Sequence, residues 1–250
     1  MNKLDSFPHL YYINLDNRID RNDHMKCLIE THHLNATRIP ATNGSEPFEH
    51  LLDSIPSRLR PNEIACVLSH LRAIMYWLET SDTDTAVICE DDVCFESVSS
   101  WAFSWKDVMN ALPYYWEIFQ CSIIYHPEYD ISLNLHHRTI FNYSAACYVI
   151  KRSYAERLMS YYWNPKTLRW KLDYPSTVPL TSEETIFRPG ACLSLPLFSF
   201  TNQHGSNIQT EDHIETYHTF SKKIHSLLWK QMSQNSGQLL KMHPSIIYKS

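Results

Sequence analysis

Three consecutive carboxylates, Glu90-Asp91-Asp92, follow directly on the short apolar run Ala86-Val87-Ile88-Cys89. Like charges at the end of a buried strand repel one another and cannot all be buried unpaired. A hard divalent cation relieves that repulsion, and an all-oxygen donor set suits magnesium or manganese, which can bridge onward to a diphosphate. The same triplet also suits a solvated acidic turn or the first turn of a helix. A second stretch, Pro61-Asn62-Glu63-Ile64-Ala65-Cys66-Val67-Leu68-Ser69-His70, sets Glu63 and His70 about two helical turns apart, so both can project from one face. Ser69 and His70 follow apolar residues and can face a site, although a histidine so placed is more often a structural residue than a catalytic one.

The elements that must hold these groups alternate along the first half of the chain. His9-Leu10-Tyr11-Tyr12-Ile13-Asn14-Leu15 reads as a strand, and residues from about Asp20 to Thr31 have helical composition. Thr37-Arg38-Ile39-Pro40-Ala41 fits a second strand, closed by the turn Asn43-Gly44. The clearest helix opens at Pro61, with Ile64, Val67, Leu68, Leu71, Met75 and Leu78 on one apolar face. Ala86–Cys89 is the next strand. This alternation is the pattern of an α/β domain with a mainly parallel central sheet and flanking helices, in which ligands bind beyond the carboxyl ends of the strands. The acidic triplet stands at such an end.

The second half is less regular. Trp116–Cys121 and Ala145–Ile150 read as buried strands, the latter leading into a helix from Tyr154 to about Tyr162. Residues 163–182, with Pro165, Pro175 and Pro179, read as a long loop or lid, and Leu193–Phe200 as a last strand. An amphipathic helix is expected around Ile224-Leu227-Leu228.

Composition narrows the function classes. The chain has 250 residues and only four glycines, too scattered for GxGxxG or GxxxxGK[ST], so neither glycine-rich phosphate cradle is present. There is no GxSxG elbow and no HExxH helix. A net charge of −5 gives no global attraction to nucleic acid, and no apolar run is long enough to span a bilayer. The seven cysteines form no CxxC pair and sit mostly in apolar surroundings, as expected of a soluble protein of the cytoplasm.

In order along residues 9–207, these stretches resemble glycosyltransferase family 25, which includes lipopolysaccharide and collagen sugar transferases. The resemblance rests on Tyr12-Ile13-Asn14-Leu15-Asp16 with Arg18, Asp20 and Arg21, on Ala41-Thr42-Asn43-Gly44, on Glu63–His70, on Val87–Asp92, and on Ala145–Ile150 with Ala155-Glu156-Arg157-Leu158. Ala65 stands where the family usually has glycine. The resemblance implies a GT-A fold over residues 1–210, with 211–250 as a helical or loose C-terminal extension. It implies a UDP-sugar donor, a glycan or other hydroxyl acceptor, a Mn2+ (or Mg2+) ion and inversion at the sugar carbon. By the family's motif, Asp92, with Glu90 or Asp91, would serve the metal and diphosphate. Asn14, Leu15, Asp16, Arg18, Thr42, Asn43 and Gly44 would lie near the uridine, and His70 near the nucleotide or donor sugar.

An inverting displacement also needs a carboxylate to take the acceptor's proton. Glu184 is the first candidate, then Glu183, with Asp173 the third. Thr181-Ser182-Glu183-Glu184 is equally a capped helix start. His204, in the late loop Phe200–Asn207, could return to the metal. The acidic triplet would also suit metal-dependent phosphoryl transfer or nucleotide hydrolysis, and a non-catalytic carbohydrate-binding module is the third class. The sugar, the acceptor and the oligomeric state are not readable from the sequence.

Overall fold

Strand β1 (Leu10–Asn14) is buried along its whole length, and its side chains alternate between two hydrophobic cores. Leu10 and Tyr12 enter one core, Tyr11 and Ile13 the other, as the two-residue strand period requires. The computed structural model describes residues 2–56, 59–129, 131–172, 181–201 and 214–242. After β1 come α1 (Ile19–His32), β2 (Ala36–Pro40), α2 (Pro61–Thr80) and β3 (Thr85–Glu90). The short β4 (Val93–Cys94) and helix α3 (Trp105–Ala111) lead to β5 (Ile118–Gln120), β6 (Ile124–Tyr125), β7 (His136–His137), β8 (Asn142–Tyr143) and β9 (Cys147–Lys151). Helix α4 (Arg152–Tyr162), β10 (Trp163–Asn164), β11 (Arg169–Trp170), α5 (Ser182–Phe187), β12 (Cys192–Ser194) and β13 (Ser199–Phe200) precede the helix Thr219–Gln234.

Seven strands make the central sheet in the order β2-β1-β3-β9-β5-β12-β7. Strands β2, β1, β3, β5 and β12 run in one direction, while β9 and β7 oppose their neighbours, so the sheet is mixed but mainly parallel. The chain passes from β1 outward to β2, then returns to place β3 on the other side of β1. That reversal opens a crevice beyond the carboxyl ends of β1 and β3.

Each sheet face carries one core. On one side, Met25 and Leu28 of α1, Trp105 and Val108 of α3, and Leu228 and Met232 of helix Thr219–Gln234 pack together. On the other, α2 contributes Ile64, Val67, Leu68, Leu71, Ile74 and Trp77, and α4 contributes Tyr154, Ala155 and Leu158. Of the expected apolar face of α2, Ile64, Val67, Leu68 and Leu71 are buried and Met75 and Leu78 are half-buried at its margin, while Ala73, Ile74 and Trp77 join the buried face.

Two expected elements differ. The stretch Leu193–Phe200 is not one strand, because Pro196 offers no N–H to a sheet ladder. It divides into β12, in the central sheet, and β13, which pairs with β4. The stretch expected to be a long loop opens as the β10–β11 hairpin, with the Trp163 and Trp170 rings 4.8 Å apart edge to face. Among the described residues, no helix is long and apolar enough to cross a membrane.

Candidate active site

The crevice at the ends of β1 and β3 is a cleft of about 500 Å³. Leu15 and Arg18 line one wall, Thr42, Asn43 and Gly44 a second, and Ser69 and His70 of α2 a third, with Glu90, Asp91 and Asp92 also on its surface. Residues separated widely in sequence are therefore brought together, and each wall has a local cause. The Ser69 hydroxyl accepts from the Thr42 backbone N–H at 2.8 Å, and Arg72 donates to the Thr42 hydroxyl at 3.0 Å, which fixes the loop against the helix. Gly44 is required by close approach: a Cβ there would lie 2.7 Å from the Asn62 Cα.

The three carboxylates are not equivalent. Asp91 is buried, and both its oxygens are engaged, accepting from Asn14 Nδ2 at 2.7 Å and from Arg21 NH1 at 2.7 Å. Asn14 in turn accepts from Arg38 at 2.8 Å, so the end of β1 is tied to both β2 and β3. Asp92 differs. Its Oδ1 is buried with no hydrogen-bond partner among the described residues, and Arg21 reaches its Oδ2 only at 3.5 Å. Burial, reinforced by the neighbouring Glu90 charge and opposed by Arg21, pushes the Asp92 carboxyl up to about 7.

Glu90 accepts from His70 Nε2 at 3.2 Å, and the other ring nitrogen of His70 lies 3.2 Å from the Tyr148 hydroxyl. Burial works against the Glu90 charge. The His70 hydrogen bond and the positive potential of His70, Arg21 and His218 outweigh it and hold the carboxyl below its usual range. Arg21 is held in its charged form, the Asp92 and Asp91 carboxylates overcoming the effect of burial.

Other expected residues lie off the cleft. Glu63 turns back to close the start of α2, accepting from the Arg60 backbone N–H at 2.7 Å. Asp16 is mostly exposed and pairs with Arg38 at 2.6 Å. Glu184 pairs with Arg138 at 3.6 Å, and the Arg138 guanidinium lies over the Phe187 ring. Glu183 accepts from the Ser144 backbone N–H at 3.0 Å and from the Ser182 hydroxyl at 3.2 Å. Asp173 and His204 lie outside the described residues.

Arg21 and Cys66 were not among the expected site residues. An arginine in the first turns of a polar helix looks like surface charge, and only the fold turns it toward a carboxylate 70 positions away.

A family model described as glycosyltransferase family 25 (LPS biosynthesis protein) matches residues 7–174 of the chain, more than half its length. No curated protein matches. Among solved structures, the protein A197 from STIV is similar over 82% of this chain and 100% of its own, with 11% identity and a TM-score of 0.44. A glycosyltransferase involved in glycosylation of the major capsid of PBCV-1 is similar over 84% of this chain and 90% of its own, at 9% identity and TM-score 0.39. The apo-form glycosyltransferase GlyE of Streptococcus pneumoniae TIGR4 is similar over 94% of this chain but 54% of its own, at 13% identity and TM-score 0.36.

Proposed function

The chain belongs to glycosyltransferase family 25 and is a glycosyltransferase, and on that premise we propose that it transfers a hexose, galactose or glucose, from a UDP-sugar to a hydroxyl of a glycan acceptor, with inversion, through a GT-A-type arrangement. The observation that carries this reading is the meeting of Glu90, Asp92, Arg21 and His70 on one cleft at the switch point of the sheet. Residues 1–210 are the transferase domain in this reading, and 211–250 an extension whose helix Thr219–Gln234 covers the first core.

The residues present fit a hard divalent cation, Mn2+ or Mg2+. The Oδ1 of Asp92 has no hydrogen-bond partner among the described residues, and its carboxyl is pushed up by burial and by Glu90 despite Arg21, so the group suits the added positive charge such an ion supplies. Asp92 and Glu90 would hold it, with His204 as a further ligand. Asp91 would not, since Asn14 and Arg21 take its oxygens. When bound, the ion acts as a Lewis acid toward the departing diphosphate.

The remaining work falls to the chain's own groups. Arg21 sets a fixed positive charge beside the triplet, where the leaving diphosphate gathers negative charge. The loop Thr42–Gly44, pinned to α2 through Ser69, offers a wall with no side chain at Gly44 for the nucleoside. Leu15 and Arg18 bound its other side. His70 keeps the Glu90 carboxylate in place near the donor sugar. Glu183, rather than the Arg138-paired Glu184, takes the acceptor proton in this reading, because its carboxylate accepts from neutral groups, the Ser144 N–H and the Ser182 hydroxyl, and not from an arginine.

The test is a thermal-shift series with nucleoside diphosphates and Mn2+, followed by a nucleotide-sugar hydrolysis screen. UDP with Mn2+ should raise the melting temperature, and Asp92→Ala should remove that shift. Absence of a shift with any nucleoside diphosphate and metal overturns the reading.

A further inference from the structure

Beside the oxygen-rich end of the cleft lies a donor set of different chemistry. Cys66 and His70 are one helical turn apart on α2, so both face the end of β3. Cys66 Sγ is 3.9 Å and His70 Nε2 is 3.2 Å from the same oxygen of Glu90, and the three donor atoms lie within 4.8 Å of one another. A tetrahedral ion with bonds of about 2.0–2.3 Å separates its ligands by roughly 3.3–3.8 Å, so these side chains need only small rotations to close on one. From this geometry we propose that Cys66, His70 and Glu90 form a site for one zinc-class ion.

The donor types select the ion. One sulfur, one imidazole nitrogen and one carboxylate oxygen make a set that zinc prefers and that manganese and magnesium, which favour oxygen, do not. The support behind the histidine is already in place. The Tyr148 hydroxyl, fully buried, can donate to Nδ1 when no ion is present and accept from Nδ1–H when Nε2 carries the metal. The His70 ring needs no reorientation between the two states. On binding, the Cys66 thiol releases its proton to solvent. All three ligands line the cleft, so the fourth position of the ion opens into it.

Glu90 is shared with the hard-cation site, so a zinc ion held here takes that carboxylate away from it and stands in the donor cleft. Zinc at this site would therefore compete with the hard cation for Glu90. That consequence rests on the transferase reading; the site itself does not.

Cobalt(II) titration of the full chain, without nucleotide, tests the site as a spectroscopic stand-in for zinc. Stoichiometric Co2+ should give a thiolate-to-cobalt absorption band that one equivalent of Zn2+ removes and one equivalent of Mn2+ leaves. Cys66→Ser should abolish the band, and His70→Gln should weaken zinc binding at least about tenfold in competition with a chromogenic chelator. Cys27→Ser, which removes the exposed cysteine, should leave the band intact. Should Cys66→Ser not fold, zinc protection of Cys66 against alkylation in the unmutated chain, read by mass spectrometry, replaces it. No thiolate band in the unmutated chain, a band that survives in Cys66→Ser, or alkylation of Cys66 at the same rate with and without zinc overturns the proposal. None of these readouts depends on a nucleotide sugar, so failure here is distinct from failure of the transferase reading.

Discussion

Arg21 NH1 lies 2.7 Å from Asp91 Oδ1 and 3.5 Å from Asp92 Oδ2, so one guanidinium, close on one and remote on the other, divides two adjacent aspartates into different roles. Asp91 is the buried anchor of the crevice, joined also to Asn14. Asp92 keeps an oxygen with no hydrogen-bond partner among the described residues. Asp91→Ala removes the buried carboxylate that Arg21 and Asn14 share and should cost about 3–5 kcal/mol of stability, the usual penalty for breaking a buried ion pair on one side. Asp92→Asn removes an ionised group from an unfavourable place and should be neutral or stabilising in metal-free buffer, while losing the Mn2+-dependent response to UDP. Chemical denaturation of both variants with a chelator present, and thermal shifts with Mn2+ and UDP, check the pair. Equal destabilisation by both substitutions contradicts the division.

The neighbouring Glu183 and Glu184 offer a second contrast. Glu184 is tied to Arg138, which is itself nearly buried at 7% side-chain exposure, so Glu184→Gln should act on stability, by about 1–3 kcal/mol. Glu183→Gln retains an acceptor oxygen for the Ser144 N–H but no basicity. It should lower kcat by roughly 10²–10⁴ while leaving the UDP–Mn2+ thermal shift in place. A Glu183→Gln enzyme with undiminished kcat would move the base elsewhere.

Gly44 carries a steric prediction. A methyl group there would meet the Asn62 backbone, with 2.7 Å to Cα and 2.9 Å to N, so the loop must withdraw from the start of α2. Gly44→Ala should lower stability by about 1–3 kcal/mol and weaken UDP binding together, because the same loop forms a cleft wall. A loss of one without the other, measured by denaturation and by nucleotide titration, separates the wall from the fold.

How far the sequence carries can be judged from particular residues. The apolar period of α2 and the run Ala86–Cys89 identify their elements because each segment buries a face set by its own geometry. The acidic triplet's place at a strand end follows at once. The split between Asp91 and Asp92 does not, since it depends on Arg21 and Asn14 arriving from other elements. Strand direction is equally hidden: Ala145–Ile150 reads as a buried strand, yet nothing local says that β9 runs against β3 and β5. The two-residue strands β6, β7 and β8 are too short to show a period. Cys66 looks like one more small apolar residue until His70 and Glu90 are beside it.

The last prediction concerns the packing of helix Thr219–Gln234. His225 is buried at 1% exposure; its Nε2 lies 3.3 Å from the Ile123 carbonyl, and the Phe200 and Trp229 rings stand at 6.1 and 6.3 Å. Its Nδ1 is buried with no hydrogen-bond partner among the described residues, which suits a neutral ring with the proton on Nε2 and makes a second proton costly. Burial accordingly brings its pKa from 6.5 down to about 4, with the Ile123 carbonyl opposing the shift. Unfolded, the ring takes up a proton near its ordinary value; folded, it resists until about pH 4. Between those values the unfolded chain holds more protons, so the contribution to stability is full above about pH 6.5 and declines as pH falls, by up to about 3 kcal/mol across the range. His225→Gln keeps a donor for the Ile123 carbonyl but cannot titrate. Its melting temperature should fall less than the unmutated chain's between pH 7 and 4.5, the two curves drawing together toward the acid end. Parallel curves would mean that the ring is not held neutral by burial, and that the helix is seated on the first core without sensing acid at this position.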